Sequence, residues 1–206
     1  MKRKFACYMI SLMLMPCSVF GKENIEQQVW DLVNRVDFQY AQTEDFQADF
    51  IQVTLIEGFD TTVQFSGHVY IKKPGYLRWD YDKPSVEQIY VHDDRLQMYV
   101  PKHNQILESN LAKVVLTKAP LHLLQGVGKL TEHFEVLPTD NGRLGEGGLP
   151  LLTLIPKRPS QPGSSSITRI VSEIQPHTYF IRSIALHELS GNISTFSFTN
   201  FKVNTG

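Results

Sequence analysis

Residues 62–82 read TVQFSGHVYIKKPGYLRWDYD, and the period of this stretch decides the fold. Val63, Phe65, Gly67, Val69 and Ile71 alternate with Thr62, Gln64, Ser66, His68 and Tyr70. Successive side chains of a β-strand point to opposite faces, so this is a strand with one apolar and one more polar face. Lys73-Pro74-Gly75 breaks the run, and Leu77, Trp79 and Tyr81 then resume alternation against Arg78, Asp80 and Asp82.

The same pattern extends both ways. Period two begins at Phe46 and continues at residues 89–91 and 96–100, joined by the turn His92-Asp93-Asp94-Arg95. Pro101-Lys102-His103-Asn104 makes the next turn before Gln105-Ile106-Leu107. Strands resume at 134–137, 151–155, 167–174, 179–189 and 193–203, with hairpin turns at 175–178 and 190–192. Upstream, Asn24 and Gln27 suit a capping pair, and Ile25, Val29, Leu32, Val33 and Val36 recur at helical spacing. Residues 110–130 interrupt the β pattern. Leu111, Val114 and Val115 are helix-spaced, Pro120 suits a first turn, and Gly126 and Gly128 end the segment, which predicts two short leucine-rich helices. Stretches 139–148 and 158–166 are turn-rich loops within the fold. The expected architecture is a long antiparallel sheet covered by helices on one side. A strongly curved sheet would enclose a cavity and a flat one only core; periodicity leaves both open.

The first 21 residues have the parts of an export signal. Lys2, Arg3 and Lys4 precede an apolar run at 5–15, and Val19 and Gly21 occupy the positions a signal peptidase reads, so cleavage is expected before Lys22. A membrane anchor needs about 18–20 apolar residues, and this run is shorter. Residues 22–206 are then a single domain acting outside the cytoplasm. The whole chain has 20 basic and 21 acidic residues; without the three basic residues of the leader the balance is 17 against 21, a net −4. That mildly acidic domain has no basic field for nucleic acid. Both cysteines, Cys7 and Cys17, lie in the leader, so no disulfide is expected.

Candidate chemistry is sparse. Seven histidines (His68, His92, His103, His122, His133, His177, His187) are scattered without a ligand spacing, and His92 beside Asp93 and Asp94 is explained by a polar turn. There is no G-x-S-x-G elbow, and Gly126-Val127-Gly128 lacks the third glycine of a dinucleotide site. No metal, cofactor or catalytic residue is expected, and the chain reads as a non-enzyme. The unusual feature is the face carrying Leu77, Trp79 and Tyr81. It is either core under the helices or the wall of an apolar pocket whose lid is the leucine-rich insertion.

Several motifs resemble the periplasmic outer-membrane lipoprotein carrier (LolA) family. Asp45-Phe46-Gln47-Ala48-Asp49-Phe50-Ile51-Gln52 is similar to its F-x-x-x-F-x-Q opening strand. The run from Gly67 through Lys73-Pro74 to Arg78-Trp79-Asp80-Tyr81 resembles its most specific stretch. Met98-Tyr99-Val100-Pro101, Pro120-Leu121-His122-Leu123-Leu124 and Leu152-Thr153-Leu154-Ile155-Pro156-Lys157 look like its Y-x-P hairpin, P-x-x-L-L lid helix and L-x-L-x-P-K strand. The resemblance implies an incomplete antiparallel β-barrel, with an N-terminal helix and a short-helix lid over an apolar cavity. It implies a monomeric periplasmic carrier that takes acylated lipoproteins from an inner-membrane releasing complex to an outer-membrane acceptor. Phe50, Phe65, Leu77, Trp79 and Tyr81 would line the cavity from the sheet, and Leu116, Leu121 and Leu124 from the lid. Lys73 and Arg78 would gate it, although Lys73 stands where well-known members carry an arginine, losing the planar fork. On this basis Leu77→Glu is expected to block loading while leaving the fold intact. The chain ends at Gly206, so functions tied to a longer tail are not carried over. Two alternatives are a lipid-anchored acceptor, for which Leu14-Met15-Pro16-Cys17 is a faint lipidation box, and a generic extracytoplasmic β module with Trp79 as core.

Overall fold

A computed structural model describes residues 20–93, 95–110, 129–139, 143–157 and 167–206. Helix α1 (Phe20–Gln42) precedes eleven strands. These are β1 (Asp45–Leu55), β2 (Thr62–Lys72), β3 (Tyr76–Lys83), β4 (Glu87–His92), β5 (Arg95–Val100) and β6 (Gln105–Asn110) in the first half. The second half holds β7 (Phe134–Pro138), β8 (Leu151–Pro156), β9 (Ile167–Ile174), β10 (Ile181–Glu188) and β11 (Ile193–Val203). They form one sheet in the order β6-β5-β4-β3-β2-β1-β11-β10-β9-β8-β7. Two meanders are thus zipped together by the antiparallel pairing of β1 with β11, from Phe46 opposite Val203 to Leu55 opposite Ile193. The sheet is open: among the described residues its edges β6 and β7 are not paired. Residues 111–128, where the lid helices are expected, lie outside the described residues.

The sheet is curved, and the aromatic rings measure it. Trp79 on β3 and Phe196 and Phe198 on β11 are separated by β2 and β1. Three strand spacings on a flat sheet are about 14 Å. Yet the Trp79 ring lies 5.6 Å from Phe196 and 6.2 Å from Phe198, both edge-on. Side chains from strands this far apart meet so closely when the sheet bends round them. Gly67 on β2, opposite both Phe50 and Tyr81, leaves space under those rings. A Cβ there would sit 1.8 Å from the Asp80 carbonyl oxygen, because β2 and β3 approach closely at a bulge between Ser66 and Gly67.

Helix α1 runs through Asn24 instead of beginning there, since Lys22, Glu23 and Glu26 are good helix formers that continue it upstream. Val33, Val36 and Tyr40 are buried and Val29 and Leu32 half-buried, so the stripe read from sequence faces the sheet and extends one turn further. The Tyr40 ring packs against Phe180 (5.4 Å) and Phe46 (6.2 Å), and its hydroxyl accepts the Ile181 N–H at 3.3 Å. Asp37 accepts the N–H of Leu130 at 3.0 Å, tying the helix to the single helical turn Leu130–His133 that leads into β7. Burial raises the Asp37 pKa, while the Leu130 N–H and Lys129 oppose the rise.

Candidate functional site

The concave face gathers the sheet residues singled out from sequence. Phe50 and Trp79 are 2% and 4% exposed, with ring centroids 4.5 Å apart. Tyr81, half-buried, meets Phe50 edge-on at 5.3 Å and Phe65 at 5.8 Å. Leu77 is buried two positions along β3 from Trp79, on the same face. Phe196 and Phe198 complete the cluster, and sequence reasoning misses them. Their alternation in β11 puts them on one face, but only the β1–β11 pairing brings that face against Phe50. Leu116, Leu121 and Leu124 lie outside the described residues.

Three of these strands change from apolar to polar along the face. On β1, buried Phe46, Ala48 and Phe50 give way to Gln52 and Thr54. On β11, Phe198 and Phe196 give way to Ser194, and on β3, Leu77 and Trp79 give way to Tyr81. The polar groups are joined. The Tyr81 hydroxyl donates to Gln52 Oε1 (3.0 Å), Gln52 Nε2 donates to Thr54 Oγ1 (3.2 Å), and Thr54 Oγ1 shares a hydrogen bond with Ser194 Oγ (3.0 Å). Burial pushes the Tyr81 phenol up to about 12, with Glu87 adding to the rise and the nearby Trp79 indole opposing it. That interaction is poorly aligned: among the described residues Trp79 Nε1 is buried and meets no acceptor in good hydrogen-bonding geometry.

Among the described residues Lys73 contacts α1 and Arg78 the convex face; the lid they are expected to gate lies outside the described residues. The Lys73 ammonium donates to the Tyr40 carbonyl in the last turn of α1, where a helix leaves carbonyls without intrahelical donors. Thr43 Oγ1 donates to the Gln39 carbonyl beside it at 2.9 Å. Partial burial lowers the Lys73 pKa. Arg78 points to the convex face, gripping Asp80 through Nε (2.9 Å) and Nη2 (2.7 Å). Its guanidinium lies between Tyr70 and Tyr90, 5.5 and 5.6 Å from the ring centroids. The Asp80 hydrogen bond raises the Arg78 pKa. A shallow depression of about 580 Å³ runs over this convex surface past Tyr76, His92 and Arg95. His92 stacks on Tyr76 at 4.2 Å. Further along, His68 is held between Asp49 (2.7 Å) and Asp82 (3.2 Å) through opposite ring nitrogens, so the two carboxylates do not converge on one point. Among the described residues no group of three or more His, Cys, Asp or Glu is placed to hold a metal, and no helix is long and apolar enough to cross a membrane.

One antiparallel sheet, bent round an aromatic interior and flanked by helix α1, defines the class among the described residues: an open, curved β-sheet fold with a buried apolar inner face. Residues 41–206 match the family model described as outer membrane lipoprotein carrier protein LolA, and the chain belongs to that family. An outer-membrane lipoprotein carrier protein of Methylobacillus flagellatus is 23% identical over 165 residues, 80% of this chain and 75% of that protein. The protein of the same name from Methylococcus capsulatus is 33% identical over 111 residues, 54% of this chain, and the match spans about half of that relative's length, 51%. A crystal structure of an uncharacterized conserved protein from Thermus thermophilus shares the fold at a TM-score of 0.51 and 14% identity, covering 86% of this chain and 88% of the other.

Proposed function

We propose that the domain of residues 22–206, freed by cleavage before Lys22, is a monomeric periplasmic carrier for acylated lipoproteins. It receives them from an inner-membrane releasing complex and hands them to an outer-membrane acceptor. The observation that carries this reading is the concave aromatic face of Phe50, Trp79, Phe196 and Phe198 in a chain of the LolA family. Each buried CH₂ is worth about 0.8 kcal/mol, so a terminus bearing several acyl chains does not cross water unshielded. Phe50, Phe65, Leu77, Trp79 and Tyr81 form the sheet side of the acyl site; the lid expected from Leu116, Leu121 and Leu124 lies outside the described residues. Lys73 acts on that site through α1, which it anchors at Tyr40. The work is binding and release, with no covalent step.

The test is release of lipoproteins from spheroplasts by purified protein 22–206. Release of lipoproteins in soluble complex with the carrier supports the reading; lipoproteins that stay on the membrane despite a competent releasing complex sink it. Determining the mature N-terminus in the same preparation separates a free carrier beginning at Lys22 from a protein lipidated at Cys17. Leu77→Glu is a poor probe here, contrary to the expectation from sequence. Leu77 is 3% exposed, and an unpaired carboxylate at that depth destabilises the fold itself.

A further inference from the structure

The concave face is amphipathic along the strand axis, and a buried donor sits where its character changes. Towards the α1 end the inner positions are Phe46, Ala48, Val69, Ile71 and Leu77, all buried. Towards the β1–β2 hairpin they are Gln52, Thr54, Phe65 and Val63, half-buried or exposed. The hydrogen-bonded row Tyr81–Gln52–Thr54–Ser194 marks that more open end. Trp79 Nε1 lies at the boundary, on a residue only 4% exposed, with no acceptor in good bonding geometry among the described residues. Buried polar groups in native folds nearly always have partners, and an indole nitrogen only donates. The Tyr81 hydroxyl donates to Gln52, and its oxygen meets the indole proton only short of good hydrogen-bonding geometry, leaving that proton open to a better-placed acceptor.

Resting on the carrier reading, we propose that Trp79 Nε1–H donates to the carbonyl oxygen of an acyl linkage, ester or amide, and so sets the orientation of the bound lipid. The hydrocarbon runs from that point towards Phe46 and α1. The polar linkage and the polypeptide attached to it leave past Gln52, Thr54 and Ser194 at the hairpin end. A hydrocarbon of the same length without a carbonyl occupies the same apolar face but leaves the indole proton unpaired. Trp79 is thereby a specificity-determining residue for acyl over alkyl chains.

The test uses two matched amphiphiles, 1-lauroyl glycerol (an ester) and 1-O-dodecyl glycerol (an ether), added to ¹⁵N-labelled protein 22–206. The indole resonances of Trp30 and Trp79 are assigned with Trp79→Phe. The expected result is a downfield shift of the Trp79 indole proton with the ester alone. The ester also binds about three- to tenfold tighter than the ether, the range of one net hydrogen bond. In Trp79→Phe the ratio of the ester and ether affinities falls to about one, whatever their absolute values. Equal affinities in the wild type with no selective indole shift overturn the carbonyl assignment while leaving acyl binding in place. Failure of both amphiphiles to bind overturns the carrier reading and this inference with it. Should Trp79→Phe not fold, the wild-type comparison of ester with ether still decides.

Discussion

Replacing Gly67 by alanine tests the close approach of β2 and β3 on which the curved interior depends. The new Cβ would lie 1.8 Å from the Asp80 carbonyl oxygen, 2.8 Å from its carbon and 3.0 Å from the Tyr81 Cα, all backbone atoms. No rotamer change relieves contacts of that kind, so the two strands must part by more than an ångström. Overpacking of this sort costs about 1–3 kcal/mol, and weakening a neighbouring ladder hydrogen bond adds about 1 kcal/mol. The lower unfolded-state entropy of alanine returns about 0.4–1 kcal/mol. The net expectation is about 1–3.5 kcal/mol. With a urea m-value of about 2 kcal/mol/M, the unfolding midpoint falls by about 0.5–1.8 M. Circular dichroism and tryptophan fluorescence follow the transition. Gly147→Ala is the control, since that glycine has φ +65 with nothing within 4 Å of its built Cβ, leaving only the left-handed penalty of about 1–2 kcal/mol. A Gly67→Ala midpoint within about 0.2 M of wild type, equivalent to about 0.5 kcal/mol, refutes the close approach and the bulge drawn from it.

Lys73→Met removes the ammonium from the Tyr40 carbonyl and keeps the aliphatic stem. A loss of about 1 kcal/mol in urea, with fraying of the last turn of α1 by amide exchange, is expected. Asp37 has a raised pKa, so between its usual value near 3.8 and the raised one the folded state holds more protons than the unfolded, and stability falls as pH rises through that window. Asp37→Asn keeps an acceptor for the Leu130 N–H, flattens that slope and leaves the protein at least as stable at neutral pH; a steeper slope refutes it. Asp49 is lowered chiefly by the hydrogen bond from Asn200 Nδ2, at 2.6 Å, and next by His68, with burial opposing. Its contribution is present above 3.8 and lost as pH falls through the lowered value. Asn200→Gly suits the φ of +54 at that position while deleting the amide, so a carbon-detected titration of Asp49 moves up towards the ordinary range.

Local pattern makes the strands legible. The period of two in residues 62–72 and 76–83 is imposed by burial of one face, and it places Phe65, Leu77, Trp79 and Tyr81 together and Arg78 opposite them. Strands β9 and β11 carry the same signal along their whole length, so their expected and observed bounds coincide. What escapes depends on partners distant in sequence. Lys73 meets a carbonyl 33 residues earlier, and β11 closes on β1 from the far end of the chain, so neither the helix anchor nor the Phe196 and Phe198 walls have a local signal. The residues flanking His68 are not acidic, yet cross-strand pairing puts Asp49 beside it and Asp82 within reach. The start of α1 is misplaced by sequence because a capping pair at Asn24 and Gln27 is also compatible with a helix interior. The unpartnered indole proton is a product of three-dimensional packing, and no spacing announces it.

The packed state of the interior bears directly on release. Trp79 touches Phe50, Phe196 and Phe198, and such ring pairs contribute about 0.5–1.5 kcal/mol each beyond their burial. An acyl chain on the carrier reading must displace some of those contacts, so its own gain of about 0.8 kcal/mol per CH₂ is offset by the rings it separates. The free protein is therefore a competitor for its own site. Ligand affinity is the difference between chain burial and ring packing, and it falls as ring packing improves. This makes a rigid, ever-open apolar cleft the wrong design for a carrier: it would hold its cargo by the full burial energy and yield it to no acceptor. A cleft that collapses onto Phe50, Trp79, Phe196 and Phe198 when empty recovers part of that energy on unloading, and the recovery is what lets an acceptor of similar apolar character draw the lipid away.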